Sequence, residues 1–179
     1  MVWRFTETPY KIFAPFKLRH LSLIRHSSFG FRHYLHMPYR YLEEIGTADI
    51  AFEATGRDLP ELFTAAADAT MNVMIDNLDA IEARETRQIE LASDQIDMLL
   101  FDLLQELIFL KDAERLLLRM REVQIAERDE NYFLTATAAG EALDAERHHQ
   151  RADVKAVTLH DFSVEQMEDC WKARVLLDI

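Results

Sequence analysis

The alternation of apolar and polar residues predicts that an early strand is followed by a helix. The segment "DIAFEAT" (49–55) alternates with the two-residue period of a half-buried strand, which places Asp49 on the side opposite Phe52. A helix start is marked at Asp58, because Asp in front of a first-turn proline is a typical helix beginning. Apolar residues at three- and four-residue spacing continue this helix to about residue 76.

The next two elements are predicted to be a short strand and the strongest helix of the chain. "RQIELAS" (87–93) has the pattern of a strand, and Ser93 or Asp94 is expected to cap the helix that follows. That helix, "DQIDMLLFDLLQELIFL" (94–110), carries a broad apolar stripe that has to be buried. A stripe of this width favours a helix that lies across a sheet.

Beyond the second helix the pattern returns to alternation. Four further strands are predicted from "LLLRMREVQIAE", "NYFLTATAAG", "VKAVTLHDFSV" and "CWKARVLLDI". Strand, helix, strand, helix and then a run of strands predicts an α+β fold. We expect a single domain in which two helices pack on a largely antiparallel β-sheet.

Charge divides the chain into two regions. Residues 1–36 carry six basic side chains and one acidic one, whereas residues 37–179 carry 14 basic and 31 acidic ones. Residues 1–36 show neither helical periodicity nor clean alternation, so we expect a poorly ordered extension in front of a domain at 37–179. No secretory signal pattern is present. A disordered basic arm and sequence upstream of a start at Met37 are together favoured over a transit-like or membrane-surface segment.

Composition excludes several classes of function. The formal net charge of -12 disfavours wrapping a nucleic acid, so any role with RNA is expected to be indirect. The single cysteine, Cys170, excludes an intrachain disulfide and a thiolate zinc cluster, which favours a reducing, cytoplasmic compartment. No apolar stretch is long enough for a membrane span, and none of the common phosphate-binding loop motifs occurs.

The chain ends in a strand whose acid suggests a cation site. In this strand Asp178, like Asp49, projects from the face opposite the large apolar residues. If the two strands are neighbours, the two carboxylates meet and require a shared proton or a bound cation. These side chains and the terminal carboxylate of Ile179 are hard oxygen ligands, which suit calcium, magnesium or manganese.

A second stretch is dense in groups that could carry chemistry. Arg147, His148 and Lys155 lie in "RHHQRADVKAVTLHDFSV", within a region that is otherwise strongly acidic. A solvated loop that leads into an amphipathic strand explains the same residues. By strand parity Lys155 shares the side of Val157, which is typical of an edge or snorkelling lysine.

Several motifs taken together resemble the archease family. They are "TADI", "GE-x-x-D-x-x-RH", "VKAVT" and the terminal "DI", and the resemblance extends over residues 37–179. It implies a small α+β protein that serves as a cofactor of the GTP-dependent tRNA-splicing RNA ligase, which joins ends bearing a 2′,3′-cyclic phosphate or 3′-phosphate to a 5′-hydroxyl. It also implies that the protein promotes guanylylation and multiple turnover of the ligase and is not itself a ligase.

The resemblance also implies a set of site residues. A divalent cation would be held by Asp49, Asp178 and the chain end at Ile179, and Lys155 corresponds to the functionally important lysine of the family. Lys155, Arg147 and His148 become candidates for facing the partner or a phosphate. The sequence departs from the family at Gly46, where a histidine usually precedes "TAD", and at Leu159, where the family often has an aromatic residue.

Two other classes of function stay open at this point. The acid pair with Lys155 could form the catalytic set of a stand-alone metal-dependent hydrolase or transferase acting on a small phosphorylated substrate. The chain could also be a chaperone-like binder whose acidic surface only keeps it in solution. The sequence leaves homo-oligomerisation open.

Overall fold

The structure is a computed structural model, and it describes residues 38–42 and 49–179. The described residues belong to one compact unit, Leu35–Ile179. The predictions made for residues 1–36, and the departure at Gly46, lie outside the described residues. None of the helices in the described part of the chain is long and apolar enough to cross a membrane.

The predicted order of strands and helices is confirmed, and a short strand and a 3-10 turn are added to it. In chain order the elements are β1 (Tyr39–Tyr41), β2 (Asp49–Gly56), α1 (Leu59–Met74), a 3-10 turn (Leu78–Ala80), β3 (Glu85–Ser93), α2 (Ile96–Glu114), β4 (Leu116–Arg128), β5 (Asn131–Ala142), β6 (Ala156–Gln166) and β7 (Trp171–Asp178). The fold class is therefore α+β, as the alternation of patterns predicted.

The strands form two sheets, where the sequence suggested one. The first sheet has the order β1-β2-β7-β6 and the second the order β3-β5-β4, and all the strand pairs are antiparallel. Helix α2 contacts β6 of the first sheet and all three strands of the second. The broad apolar stripe of α2 therefore packs against both sheets through its buried leucines.

Helix α1 begins where the sequence predicted. The side chain of Asp58 accepts a hydrogen bond from the Glu61 N–H at 2.9 Å, and Pro60 lies in the first turn. Gly56 ends β2 directly against this helix, since a Cβ atom there would lie 2.2 Å from the main-chain nitrogen of Leu62. Glycine is needed at this position because the two backbones approach too closely for a side chain.

Helix α2 begins later than predicted. The residue in front of it is Gln95, whose side chain makes no capping hydrogen bond, so the predicted cap at Ser93 or Asp94 is wrong. The Ser93 hydroxyl instead accepts a 3.3 Å hydrogen bond from the Gln95 N–H. The serine therefore orders the turn before the helix without capping the helix itself.

The first sheet has two unlike faces. On one face Phe52, Val175 and Leu177 are fully buried in the core, and α1 contacts both β2 and β7. The other face, here called the outer face, carries the residues of opposite parity, including Asp49 and Asp178. The parity assigned from the sequence to these two acids is therefore confirmed.

Candidate metal centre

Asp49 and Asp178 are direct cross-strand partners. Strands β2 and β7 are antiparallel neighbours, and their register pairs Asp49 with Asp178. Side chains of directly opposed residues project from the same face with Cβ atoms about 4.5–5.5 Å apart. The condition on which the sequence argument depended, that these two strands are adjacent, is met.

No basic group of the described residues neutralises this pair. Among residues 38–42 and 49–179, neither Asp49 nor Asp178 has a side-chain hydrogen bond or an ion pair. Another acid of the same face, Glu53, differs: Arg40 and Lys172 each lie 2.6 Å from its carboxylate. These contacts, led by the hydrogen bond from Lys172, lower the pKa of Glu53. The outer face thus holds one neutralised acid and one pair that is not neutralised.

Lys155 is fixed beside the pair by its main chain. The Lys155 N–H donates to the main-chain oxygen of Asp178 at 2.9 Å, and the next residue, Ala156, pairs with Asp178 in the register of β6 and β7. The Lys155 side chain is exposed, whereas Val154 and Val157 on either side are buried. The predicted alternation does not extend to Lys155, because this residue precedes the first residue of β6.

Two side-chain carboxylates are what the protein supplies here. In the described part of the chain, no three His, Cys, Asp or Glu side chains come together as a metal cluster. Ile179 follows Asp178 directly, and its side chain packs against the core, which holds the main chain next to the pair. The donor set fits a hard divalent cation, since two carboxylates and a further main-chain oxygen are the ligand types that calcium and magnesium accept.

His148 is placed in the interior and does not face a partner. Its imidazole is buried, with the residue only 1% exposed. Its Nδ1 accepts from the Asp144 N–H at 2.9 Å, and its Nε2 lies 3.2 Å from Oε1 of Glu141. Because Nδ1 accepts, the ring carries its proton on Nε2 and donates to Glu141. The expectation that His148 meets a partner or a phosphate is therefore wrong.

Arg147 is occupied by the same acid. Its Nη1 and Nη2 donate to Glu141 at 2.8 and 3.1 Å, and Nη2 also donates to Glu82 at 3.0 Å and to the main-chain oxygen of Ala80 at 3.2 Å. A guanidinium with four acceptors has little left for a ligand. These contacts tie Arg147 to Glu141, while a third of its side chain stays exposed. That Arg147 faces a partner or a phosphate stays a prediction.

Glu141 is the centre of this network, and the sequence argument missed its role. The residue is 3% exposed and also accepts from the Glu82 N–H at 2.8 Å, while Arg84 lies 3.2 Å from its second oxygen. The hydrogen bonds from Arg147, more than any other contact, lower its pKa from 4.5 to about 2. The spacing "GE-x-x-D-x-x-RH" was the available signal, since it joins Glu141, Asp144, Arg147 and His148.

A cavity elsewhere does not include the acid pair. It measures about 330 Å³ and is lined by Pro38, Tyr39, Asp68, Asn72, Asn77, Leu78, Asp79 and Arg119. Two of its lining residues bind each other, since Arg119 donates two hydrogen bonds to Asp68, at 3.2 and 2.9 Å. Asp49, Asp178 and Lys155 are not among its lining residues. The acid pair therefore lies outside this cavity.

The fold and this site define a small α+β protein with an unneutralised pair of aspartates at one end of a sheet. The Archease protein family matches residues 39–179. The chain is 43% identical over 133 residues to protein archease of Methanothermobacter thermautotrophicus and 38% identical over 134 residues to that of Pyrococcus abyssi. Each match covers 74% of this chain and 94% of the relative. The chain belongs to the archease family.

Solved structures agree with this assignment. The solution structure of protein 1598 of Methanobacterium thermoautotrophicum is similar, with a TM-score of 0.70, 40% identity, and coverage of 80% of this chain and 99% of that one. A crystal structure from Thermotoga maritima, described as an archease and possible chaperone, has a TM-score of 0.51 at 20% identity and covers 75% and 93%. At that identity the second likeness supports the fold alone.

Proposed function

We propose that this chain is an accessory protein that binds a divalent cation and activates a GTP-dependent tRNA-splicing RNA ligase. In this proposal it promotes guanylylation of the ligase and allows multiple turnover, and it has no ligase activity of its own. Its partner is the ligase, and its contact with RNA is indirect. Membership of the archease family supports the accessory role. The observation that carries the cation site is the direct pairing of Asp49 with Asp178.

The physical argument starts from the repulsion between these two acids. Two ionised carboxylates at cross-strand distance destabilise a sheet unless a proton or a cation lies between them. Within the described residues no lysine or arginine takes that place at Asp49 or Asp178. We therefore propose calcium, magnesium or manganese as the occupant, with the main-chain carboxylate of Ile179 as a further ligand.

Lys155 would act next to the cation. Its main chain is bound to Asp178 through the 2.9 Å hydrogen bond, and its side chain is exposed to solvent. A divalent ion would supply positive charge at the acid pair, so that ion and lysine together could meet a phosphate group or an acidic group of the ligase. Such contacts activate the partner only if they favour one of its conformations over another.

Calorimetry with calcium, magnesium and manganese chlorides tests the cation site. We expect the unaltered protein to bind at least one of these ions, and Asp49→Asn and Asp178→Asn each to lose that binding while remaining folded. Asp129→Asn is a matched control, because Asp129 lies at the β4–β5 turn of the other sheet and its positive φ of 49° is tolerated by asparagine. Unchanged binding in both site variants would exclude the site.

A ligation assay tests the activity that the site is proposed to serve. The cognate ligase is incubated with excess RNA, with and without this protein, and ligated product is counted per ligase molecule. We expect several products per ligase with the unaltered protein and about one or fewer with Asp49→Asn or Lys155→Ala. Equal turnover with and without the protein would contradict the proposal. A further reaction contains this protein without the ligase, and release of product there would instead support the stand-alone hydrolase or transferase.

The role of Ile179 requires a separate test. Adding a single glycine after Ile179 moves the terminal carboxylate by one residue and leaves every side chain in place. We expect this extension to weaken cation binding, whereas an extension in front of Met1 leaves it unchanged. Equal affinity in the two extended proteins would remove the Ile179 carboxylate from the proposed ligand set and leave the two aspartates.

A further inference from the structure

Lys111 is a lysine of α2 whose side chain is mostly covered by its neighbours. Only 9% of the side chain is exposed. An ammonium group has three N–H donors. Lys111 has three acceptors for them, which are Asp112 at 2.6 Å, Asp153 at 2.7 Å and the main-chain oxygen of Val154 at 3.0 Å. Lysine is rarely covered to this extent unless it is paired, so this side chain serves specific contacts.

The main-chain oxygen of Val154 is the acceptor that most needs this lysine. The two acids remain in contact with water, since the side chains of Asp112 and Asp153 are 55% and 80% exposed. Val154 is fully buried, and a buried carbonyl group without a partner costs folding free energy. The hydrogen bond from Lys111 therefore fixes the main chain at Val154, directly before Lys155.

Gln105, on the same helix, holds the main chain on the other side of Lys155. Its Oε1 accepts a hydrogen bond from the Val157 N–H at 2.9 Å. Gln105 and Lys111 are six residues apart, which is about 9 Å along a helix. Val154 and Val157 are three residues apart, which is about 10 Å along an extended chain. Because the two spacings match, one helix binds this segment at both of its ends.

Lys155 lies between these two contacts and in front of the strand. Its N–H donates to the main-chain oxygen of Asp178 at 2.9 Å, and β6 begins at the next residue, Ala156. A residue beyond the end of a strand lacks the full set of ladder hydrogen bonds, and such ends open locally at a low cost in free energy. The contacts from α2 restrain the main chain where the ladder is missing.

A restrained main chain limits where the Lys155 ammonium group can be. A lysine side chain has many rotamers, and ordering them in a contact already opposes binding. Movement of the main chain would add to that cost, and contacts between charged groups weaken as their distance grows. Holding the main chain in place before binding therefore strengthens each contact that Lys155 makes.

We infer that Lys111 and Gln105 are positioning residues for Lys155, which hold its main chain so that its ammonium group meets the ligase in one place. The inference rests on the proposed function, in which Lys155 acts on the ligase, and it extends that function to two side chains of α2. Neither side chain contacts the partner itself. Their effect on the ligase passes through Lys155.

Substitutions at Lys111 separate its hydrogen bonds from its packing. Lys111→Met keeps an unbranched side chain and removes the three donors, whereas Lys111→Arg keeps a charged donor. We expect Lys111→Met to lower activation of the ligase by about 5-fold or more, as for coupled residues of one network, and Lys111→Arg by less than about 2-fold. Arg87→Met is the control, because Arg87 donates to Glu114 at 3.0 Å at the same end of α2 but lies on β3 of the other sheet.

A titration of each protein against a fixed amount of the cognate ligase with excess RNA gives the measurement. It yields the maximum turnover and the protein concentration at which half of it is reached. Concentrations are those of folded protein, taken from urea unfolding of the same sample. We expect Lys111→Met to change the same quantity as Lys155→Ala, in the same direction. A residue that only stabilises the fold would show no difference once the folded fraction is taken into account.

Hydrogen exchange of the protein alone gives a readout that does not involve the ligase. Lys111→Met should speed exchange of the Lys155 N–H, and Gln105→Met that of the Val157 N–H, because each variant releases the main chain at that end of the segment. Arg87→Met should leave both rates unchanged. Unchanged exchange at Lys155 in Lys111→Met would contradict the inference.

The comparison of Lys111→Met with Lys155→Ala decides the inference. If Lys155→Ala lowers activation and Lys111→Met does not, the inference is overturned while the proposed role of Lys155 stands. If Lys155→Ala leaves activation unchanged, the proposed role of Lys155 falls, and the inference falls with it. Equal losses in Lys111→Met and Lys111→Arg would also overturn it. Should Lys111→Met fail to fold, Gln105→Met is judged by the same comparison.

Discussion

The acid at Glu141 and the acid pair at Asp49 and Asp178 come from equally recognisable motifs but lie in opposite surroundings. Glu141 is buried, and Arg84, Arg147 and a histidine surround its carboxylate. Asp49 and Asp178 face each other on the outer face, and none of the described residues neutralises them. An acidic residue of a family motif can therefore either stabilise the fold or remain available to bind a ligand. Only the neighbouring side chains show which of the two it does.

The surroundings follow from where each strand leads. β5 ends at Ala142, and the segment after it turns back so that Arg147 and His148 both contact the Glu141 carboxylate. β7 ends at Asp178, beside the first residue of β2 and the first residue of β6. The first arrangement closes around its acid, whereas the second leaves its acids at the end of a sheet.

Removal of the Glu141 carboxylate should have the largest effect on stability. Glu141→Ala leaves the buried imidazole of His148 without its acceptor and also removes the acceptor of the Glu82 N–H and two contacts of the partly exposed Arg147. Each buried donor left unsatisfied in this way costs about 1–3 kcal/mol. Urea unfolding measures the change. A decrease of less than about 1 kcal/mol in the free energy of unfolding would mean that the contacts of Glu141 do not stabilise the fold. Glu141 would then not differ from the acid pair in its structural role.

Gly140 tests how tightly the strand next to this acid is held. A Cβ atom at Gly140 would lie 1.7 Å from the main-chain oxygen of Leu117, so β4 and β5 would have to move apart. We expect Gly140→Ala to destabilise the fold by about 1–3 kcal/mol, the usual cost of overpacking. Thermal unfolding measures this cost. Cation binding at the acid pair, in the other sheet, should be retained in whatever fraction stays folded.

Lowering the pH should also distinguish Glu141 from the acid pair. The pKa of Glu141 falls from 4.5 to about 2 on folding, so this group adds stability above pH 4.5 that is lost as the pH falls towards 2. In Glu141→Gln this contribution is absent, and stability should fall less steeply between pH 4.5 and 2. Urea midpoints measured across this range with chelator present give the comparison. Parallel curves for the two proteins would contradict the assignment of Glu141 as the paired acid.

Neutralising one member of the acid pair should have the smallest effect on the cation-free fold. Asp49→Asn or Asp178→Asn removes a like-charge repulsion between cross-strand neighbours, so with chelator present we expect a gain of about 0–1 kcal/mol. With excess calcium, magnesium or manganese the unaltered protein should gain stability and the variants should not. A large loss of stability in chelator would show that the pair is structural, like Glu141.

Much of the site could be predicted from the sequence because strand periodicity fixes the side of a sheet. Alternation placed Asp49 opposite Phe52 and Asp178 opposite Leu177, and both placements are confirmed. The same reasoning does not reach Lys155, which precedes β6, and it could not show that His148 is buried or that Arg147 binds Glu141. Periodicity describes an element only within its own bounds and says nothing of a loop that returns to the core.

The sequence by itself determined the order of strands and helices, the start of α1 at Asp58, and the faces to which Asp49 and Asp178 belong, because these depend on neighbours along the chain. The tertiary structure decided that the strands divide into two sheets and that β2 and β7 pair with those two acids opposite each other. Those features depend on which segments that are distant in the sequence pack together. That packing is determined when apolar faces such as the stripe of α2 become buried against other elements.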